Sequence, residues 1–216
     1  MLTRDKRYSN SGFTLVEVSI VLVVIGLLIG SVLVAVNILQ NARITSTIST
    51  LQSIQSAVST YNQNYGAVPG DDAKAASRFG LSNSGGGDGL VGTSGSFKND
   101  ATATLTTGNG TSESNFVWSN LRSAGLIKGK ADDVSQPGNS FGGIFGIQLG
   151  VFGISDKTNV VCIDKIPGSA ATIIDQRQDD GNPQTGNIRA GTDITSAAAT
   201  NPYVETNVYI LCTKAL

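Results

Sequence analysis

Residues 12–30 read GFTLVEVSIVLVVIGLLIG, an apolar run with a single carboxylate, Glu17, near its start. Glu17 is the only ionisable side chain among the 24 residues from 13 to 36. As a helix, those residues span about 36 Å, which is enough to cross the ~30 Å hydrocarbon core of a bilayer. A carboxylate is costly in such a setting, so we interpret Glu17 as a functional group that requires a cationic partner.

The charges on either side of the apolar run indicate an orientation in the membrane. Residues 1–12 carry three basic side chains and one acidic one, whereas Arg43 is the only basic residue between the run and Lys74. This asymmetry predicts a cytoplasmic N-terminus with the rest of the chain outside the cytoplasm. A secretory signal peptide is one alternative, but it would have an apolar core of about 7–15 residues before a small-residue cleavage site. A plain single-span anchor that merely tolerates Glu17 is the second alternative.

The N-terminal segment resembles that of the type IV pilins and of the pseudopilins of type II secretion. The resemblance is carried by the GFTLVE sequence of residues 12–17, the short basic leader before it and the uninterrupted apolar helix after it. It implies that an inner-membrane prepilin peptidase cleaves the chain between Gly12 and Phe13 and that the new amine of Phe13 is N-methylated. It also implies that Glu17 pairs with the N-terminal amine of a neighbouring subunit during assembly.

Beyond the apolar run, the sequence predicts that the helix continues to residue 64, because residues 31–64 contain neither Pro nor Gly. An apolar residue recurs there every three or four positions, which is typical of one buried helix face. The stripe consists of Ile44, Ile48, Leu51, Ile54, Val58 and Tyr61. We expect it to pack against the core of the domain that follows. A helix over residues 13–64 would be about 78 Å long.

Residues 66–216 are predicted to form a globular head of class α+β with a late antiparallel sheet. Short helices are expected at residues 72–79, 113–124 and 169–178, the first capped by Asp71, with strands at 141–149, 159–163 and 203–212. This order matches the pilin-like plan that the resemblance implies. The resulting division of the chain is a removed leader at 1–12, a transmembrane and filament-core helix at 13–36, an amphipathic helix at 37–65 and the head at 66–216.

Gly26 and Gly30 form a Gly-x-x-x-Gly pair inside the apolar run. Such pairs allow helices to approach closely in a membrane, although each Gly also lowers helix propensity by up to about 1 kcal/mol relative to Ala. Some filaments of the family that the chain resembles partly unwind this stretch. Val34 stands where many pilins have a proline, so close packing is favoured over unwinding here.

Cys162 and Cys212 are the only two cysteines, and both fall in the part predicted to lie outside the cytoplasm. An even number of cysteines in such a compartment favours a disulfide, with free buried thiols as the alternative. Each lies on a predicted strand, so the bridge would attach the last strand to the sheet. A loop of about 50 residues closed in this way is worth roughly 4 kcal/mol in the chain-entropy model.

The sequence contains no histidine, which removes Ser-His-Asp triads, Cys-His catalysis and the common zinc sites. The acidic pairs Asp71/Asp72, Asp132/Asp133 and Asp179/Asp180 lie beside turn signals, so solvated turns and helix caps are the favoured interpretation. Calcium binding is the more specific alternative, because some secretion pseudopilins bind calcium in a head loop. The candidate ligands are Asp88, Asp179 and Asp180. We predict no enzymatic activity. A net charge of −1 does not indicate nucleic-acid binding.

The predicted function is that of a structural subunit of a type IV pilus-like filament. The subunit would be stored in the lipid of the bacterial inner membrane and would be added, by an inner-membrane assembly platform, to copies of itself or to related pilins in a periplasmic or surface filament. Three alternatives remain open: a type II secretion pseudopilin acting as a piston, a rare tip pilin whose polar loop at residues 81–110 binds a surface, DNA or protein, and an anchored receptor that never assembles.

Overall fold

The computed structural model describes residues 12–93, 95, 97, 110–195 and 197–216. The predicted leader, apart from Gly12, lies outside the described residues, as does much of the polar loop. The described elements are α1 (Leu15–Tyr65), α2 (Ala75–Phe79), α3 (Gly110–Ser123), β1 (Phe145–Leu149), β2 (Asn159–Pro167), α4 (Gly168–Gln178), β3 (Ile188–Gly191) and β4 (Val208–Lys214). The structure divides between Ala42 and Arg43 into two compact units, and these are described separately. The predicted α+β class, a long N-terminal helix followed by a late antiparallel sheet, is confirmed.

The first unit is the apolar part of α1. Its most apolar 18-residue window has a mean hydropathy of 3.0, and none of that window is buried. Leu22 is 64% exposed and Leu28 is 60% exposed. By length and composition, this helix could cross a membrane. An isolated chain leaves these side chains in contact with water, so their free energy of burial must come from lipid or from other protein chains.

The second unit has a core of its own, to which the later part of α1 contributes. All six residues of the predicted stripe are buried, with exposed fractions between 0% at Ile44 and Tyr61 and 9% at Ile48. The prediction of one buried helix face is therefore confirmed. Hydroxyl side chains occupy much of the remaining surface and donate to the carbonyl oxygen four residues earlier, as Thr50 does to Ser46 and Ser53 does to Ser49.

The sheet has the order β1-β2-β4-β3, and each neighbouring pair is antiparallel. The start of β2 at Asn159 agrees with the prediction. The strand predicted at 141–149 is shorter, because the Asn139 side chain accepts hydrogen bonds from the backbone of Phe141 and Gly143 and forms a turn instead. Strand β4 starts at Val208, five residues later than predicted, since residues 204–207 turn through an Asn207 N–H to Val204 O bond. Strand β3 was not predicted.

Alternating residues of the central strands face two different clusters. Val161, Ile163 and Leu211 join the main core with the stripe of α1, whereas Val160 and Ile210 join a smaller cluster on the opposite face. This smaller cluster also contains Phe97, Val151, Phe152 and both cysteines. The sheet is thus covered on both faces, which explains the short continuous apolar runs in its strands.

Cys162 and Cys212 face each other directly in the register of β2 and β4. Their sulfur atoms form a disulfide, with a Cα–Cα distance of 4.1 Å. The predicted disulfide is confirmed, as is its position between the last strand and the rest of the sheet.

One helix differs from its prediction in a way that matters for the site. Helix α2 begins at Ala75, not at residue 72, and its N-cap position is Lys74 without a side-chain capping bond. Asp71 therefore caps no helix, because its carboxylate is used elsewhere. Helices α3 and α4 lie within three residues of their predicted bounds.

Candidate functional site

The start of α1 is fixed by a reciprocal pair of hydrogen bonds between Thr14 and Glu17. The Thr14 backbone N–H and its hydroxyl both donate to Oε2 of Glu17, each at 2.8 Å. In return, the Glu17 backbone N–H donates to the Thr14 hydroxyl oxygen at 3.2 Å. This arrangement is a capping box, in which a Thr and a Glu three residues later satisfy backbone donors at a helix N-terminus.

The capping box gives Glu17 a local role that our sequence reasoning missed. The Thr14-x-x-Glu17 spacing is the sequence signature of this cap, so the signal was present. The Glu17 carboxylate also lies in the first turn of a helix, where the macrodipole favours a negative charge. The same carboxylate group can still accept further hydrogen bonds, because an ionised carboxylate has about four lone-pair sites.

The peptide bond between Gly12 and Phe13 lies just outside α1, in exposed non-helical backbone. Phe13 is 88% exposed. The geometry therefore leaves this bond accessible, one residue before the capping threonine.

Among the described residues, no contact requires glycine at Gly26 or Gly30. A Cβ atom built on either residue meets nothing within 4 Å. Their four-residue spacing puts them on the same helix face. Two glycines on one apolar helix face, with open space around both in the part of the chain that the structure describes, favour close contact with a second helix.

In the head, Asp71 is buried and holds a glycine-rich turn. Its Oδ1 accepts from the backbone N–H groups of Gly87 at 2.6 Å and Asp88 at 3.1 Å, and its Oδ2 accepts from Gly89 at 2.6 Å. Successive N–H groups that converge on an anion form a nest, and here the anion is part of the same chain. The close approach requires a glycine at position 85, because a Cβ there would lie 2.3 Å from the Asp71 backbone.

Glu113, in the first turn of α3, holds the same turn from its other side. Its carboxylate accepts from Gly86 N–H at 2.8 Å and from Gly92 N–H at 3.3 Å. Burial raises the pKa of both Glu113 and Asp71, and the backbone donors offset part of that effect. Two buried carboxylates thus fasten the 85–92 segment to α3 and to the turn after α1.

Asp72 is also buried, and it connects the end of α1 with α2. It accepts from the Tyr61 hydroxyl at 2.8 Å and from the Lys74 backbone N–H at 2.8 Å, and it forms an ion pair with Arg78. The Arg78 guanidinium also lies over the Tyr65 ring, 4.5 Å from its centroid. Our interpretation of Asp71 and Asp72 as a solvated turn or helix cap was therefore wrong, because both are 2% exposed.

The other two acidic pairs do lie in turns, as predicted. Asp132 is exposed, and Asp133 accepts from the backbone and hydroxyl of Ser135. Asp180 is exposed and accepts from Asn182 N–H and from the Thr185 hydroxyl. The hydrogen bond from Thr185 lowers the pKa of Asp180.

Three carboxylates each have one oxygen within 4.8 Å of the others: Asp179, Asp180 and the buried Asp175. We did not single out Asp175, whose oxygens accept from the Tyr203 hydroxyl at 2.6 Å and from Gly181 N–H at 3.2 Å. Burial raises its pKa. Calcium requires about six to eight oxygen ligands, and these three carboxylates already accept N–H or O–H donors.

Asp88 lies outside this cluster and accepts from Leu90 N–H at 2.9 Å. The oxygens of Asp88 and of the Asp175, Asp179 and Asp180 cluster are surrounded by N–H and O–H donors. Such surroundings are a poor match to a hard cation, which requires oxygen ligands. Calcium binding by Asp88, Asp179 or Asp180 stays a prediction.

The N-terminal segment matches a known protein family. Residues 7–33 match the family model described as the prokaryotic N-terminal methylation motif. This match supports the resemblance to type IV pilins and pseudopilins. No curated protein matches the chain.

Among solved structures, the major type IV pilin PilA1 from Clostridium difficile is similar, with a TM-score of 0.41 and 12% identity. The similarity covers 83% of this chain and 98% of that one.

Proposed function

We propose that this chain, which carries the N-terminal methylation motif of type IV pilins and pseudopilins, is a structural subunit of a type IV pilus-like filament. The observation that carries the proposal is the combination of Glu17 with an apolar helix segment, residues 13–36, whose described side chains are exposed. Side chains such as Leu22 and Val32, at 64% and 60% exposed, are not buried by any part of the chain that the structure describes. A filament core supplies partners that bury them, and a membrane supplies such partners before assembly.

Processing by a prepilin peptidase would come first. Cleavage between Gly12 and Phe13 would remove the leader and create a new α-amino group on Phe13, which would then be N-methylated. The accessible, non-helical backbone at this bond supports such a reaction. The new ammonium would lie directly before Thr14, at the positive end of the helix dipole.

Assembly would then pair Glu17 of one subunit with the Phe13 ammonium of its neighbour. In an apolar surrounding, a charge is stabilised only when it is paired and hydrogen-bonded. Thr14 would hold the Glu17 carboxylate in a fixed position through the capping box. The ammonium of the neighbouring subunit would then supply the countercharge and the remaining hydrogen-bond donors. This pair would set the register between subunits.

Transfer from lipid to filament is physically plausible because both surroundings are apolar. Helix association is then decided by packing and by the polar pair rather than by the hydrophobic effect. The absence of any Cβ at Gly26 and Gly30 would allow close approach of two helix backbones.

The head would lie outside the cytoplasm during storage. The basic residues of positions 1–12 favour the cytoplasmic side for the N-terminus. The disulfide between Cys162 and Cys212 supports the same orientation, because such bonds persist in oxidising compartments.

Mass spectrometry of the mature N-terminus tests the proposal. Subunits purified from sheared filaments are expected to begin at N-methylated Phe13. A Gly12→Val variant, with a bulky residue at the cleavage position, is the matched control and is expected to stay full-length in the membrane fraction. Recovery of chains that begin at Met1 from intact filaments would contradict the proposal, and the number of copies per filament would distinguish a major from a minor subunit.

A further inference from the structure

A turn on the surface of the head exposes two apolar side chains beside an acidic one. Val204 and Val208 are exposed at 46% and 54%, and they lie at the two ends of residues 204–208, which we call the valine turn. Glu205 in this turn is also exposed, and it is the only charged residue in the stretch 194–213. The turn thus presents an apolar surface with a single negative charge.

The valine turn is held in place from behind. The Asn207 N–H donates to Val204 O at 3.0 Å, and the Val204 N–H donates to the Tyr209 hydroxyl at 2.8 Å. The Asn207 carbonyl oxygen accepts from the Gly168 N–H at 2.8 Å. A Cβ at Gly168 would lie 2.1 Å from Val204 O, so the turn packs closely against the start of α4. Because the turn is already ordered, little conformational entropy is lost when a partner binds it.

A groove lies elsewhere on the head, between α1 and residues 126–137. It encloses a cavity of about 580 Å³. Its floor includes Ser49 and Ser53, and the Ser53 hydroxyl donates to Ser49 O, so this donor requires no partner from outside. Its wall consists of three half-buried apolar residues, Leu126, Ile127 and Pro137. The groove, which we call the 126–137 groove, is therefore suited to small apolar side chains.

The wall of the 126–137 groove is fixed by Arg122, whose side chain is only 7% exposed. Its Nε donates to Lys128 O at 3.2 Å, its Nη1 to Asp133 O at 2.6 Å and its Nη2 to Ser135 O at 2.8 Å. All three guanidinium nitrogens thus bind backbone carbonyls of the same segment. The groove is therefore formed before any partner binds.

The valine turn and the rim of the groove carry opposite charges. Lys128 and Lys130 are exposed on the groove segment. Asp132 reduces the positive charge there, whereas Asp133 is already paired with Arg122. Among the described residues, neither the Lys128 ammonium nor the carboxylate of the valine turn has an ion-pair partner. Complementary charges of this kind orient two surfaces as they meet.

We propose that the valine turn of one copy of the chain docks into the 126–137 groove of another, with Glu205 beside Lys128. The turn and the groove are different surfaces, so a contact between two copies leaves one turn and one groove free. Such a heterologous contact can continue along a filament. The proposal rests on the proposed function and deepens it by naming a contact between heads.

The contact is expected to be weak between isolated heads. A single turn in a groove is small compared with stable interfaces, which bury about 1,200–2,000 Å². It becomes effective when the apolar helices hold several chains together, because linked sites meet at a high effective concentration. A test must therefore use the full-length chain and a method that traps short-lived contacts.

Cysteine cross-linking of the full-length chain in detergent provides this test. Both native cysteines are in the disulfide, so the thiols of an Ala131→Cys/Thr206→Cys variant are the reactive ones. These positions are exposed, one beside the groove and one in the valine turn. A short bis-maleimide is added at a ratio that places several chains in each micelle. A ladder of dimers, trimers and larger species is expected, because each chain can be linked at both surfaces.

The matched control is Ala73→Cys/Thr192→Cys, which changes the same residue types at two other exposed positions. It is expected to give no ladder, and near-ultraviolet circular dichroism verifies that each variant is folded. Equal ladders from the two variants would overturn the proposal. In a mixture of the Ala131→Cys and Thr206→Cys single variants, the mixed dimer should exceed both symmetric dimers, and a dominant symmetric dimer would also overturn the proposal.

Substitutions within the two surfaces separate their apolar and charged parts. Val204→Ser/Val208→Ser in the cysteine variant is expected to slow the cross-linking about tenfold, because two apolar side chains are no longer buried. Lys128→Glu is expected to slow it by up to about five-fold, and the addition of Glu205→Lys is expected to restore the rate. Unchanged rates in the serine variant would overturn the proposal, as would a charge reversal without rescue.

A different occupant of the groove would be detected in the same assay. If Ala131→Cys cross-linked to Val32→Cys on the apolar helix faster than to Thr206→Cys, the groove would belong to that helix of another copy and the proposal would be overturned. Failure of the proposed function is a separate outcome. It would appear as an unprocessed N-terminus and a lack of filaments in cells, while the ladder in detergent would be unaffected.

Discussion

Leu22 and Leu51 lie on the same helix and have opposite surroundings. Leu22 is 64% exposed in the apolar part of α1, whereas Leu51 is 3% exposed in the core of the head. The later part of the helix is buried on one face by the head, whereas the earlier part is not buried by any of the described residues. One helix therefore contributes both to a packed domain core and to an exposed apolar surface. This difference indicates that the N-terminal part is built for contacts with other molecules.

The largest expected effect is on assembly and comes from Glu17. Glu17→Ala should leave membrane insertion intact and lower filament incorporation by at least tenfold, because in the proposed pairing the ammonium of the neighbouring subunit would lose its anion. The Glu17→Gln variant separates two roles, since Gln at this position can still complete a capping box but carries no charge. Immunoblots of sheared filaments and membrane fractions measure both variants. Normal assembly of the Gln variant would mean that the cap, and not the charge, is required.

Removal of the disulfide should affect only the head. With a sequence separation of 50 residues, the Cys162→Ala/Cys212→Ala variant is expected to lose about 4 kcal/mol of its free energy of unfolding. Denaturant titration of the protein in detergent measures this loss, with tryptophan fluorescence of the buried Trp118 as the signal. Membrane insertion should not change. An unfolding midpoint equal to that of the unchanged chain would contradict the expectation.

A pair of leucine truncations compares the two regions directly. Leu51→Ala should destabilise the head by about 2–5 kcal/mol, because it leaves a cavity in a packed core. The same change at Leu22 should leave the unfolding of the head unaltered, since that side chain has no contacts in the core. Both variants are measured by the same denaturant titration. Equal effects at the two positions would contradict the division of the helix.

The pH dependence of stability should be altered by Glu113→Gln. Because burial raises the pKa of Glu113 in the folded head, the folded state binds more protons than the unfolded state between the usual and the raised pKa. The contribution of this group to stability is thus fully present below its unfolded pKa and decreases as the pH rises through the folded pKa.

Denaturant titrations between pH 3.5 and pH 7, as chosen conditions, should therefore show the unchanged chain gaining stability relative to the Gln variant as the pH falls. Asp175 retains its raised pKa in both proteins. Burial also keeps the pKa of Asp71 raised in both, but the Gln variant lacks the Coulombic interaction between Glu113 and Asp71, so the difference reports Glu113 together with that interaction. A constant difference across this range would show that Glu113 does not titrate as expected.

The smallest expected effect on the isolated chain comes from Gly26→Ala/Gly30→Ala. A Cβ has free space at both positions, and Ala favours the helix by up to about 1 kcal/mol per residue. Circular dichroism in detergent should show an equal or slightly more stable helix, whereas filaments should break at lower shear. Ser31→Ala, at an exposed neighbouring position, is the control. Filaments of unchanged strength would argue against a packing role for the glycines.

Sequence patterns were most informative where the partners are close in the sequence or where, as for the two cysteines, the residue type leaves a single possible pair. The stripe from Ile44 to Tyr61, the Cys162–Cys212 bridge and the approximate bounds of α3 and α4 agreed with their predictions. The capping box of Thr14 and Glu17 could have been predicted too, because its signal is a spacing of three residues.

The head carboxylates could not be predicted in the same way. Asp71 lies beside Pro69 and Gly70 in a sequence that is typical of a solvated turn, yet it binds backbone groups 16 to 18 residues away. Glu113 reaches groups up to 27 residues away, and Asp175 contacts Tyr203 across 28 residues. No pattern within a short window contains both partners of such bonds.

The amino-acid sequence by itself determined the apolar helix, its single carboxylate and the buried face of its later part, because helix periodicity and the cost of burying a charge act on neighbouring residues. Tertiary structure alone decided which acidic groups are buried, where β3 pairs and how Arg177 comes to lie beside Thr45. These features depend on backbone donors and side chains that only folding brings together, and their free energies follow from that environment rather than from residue type.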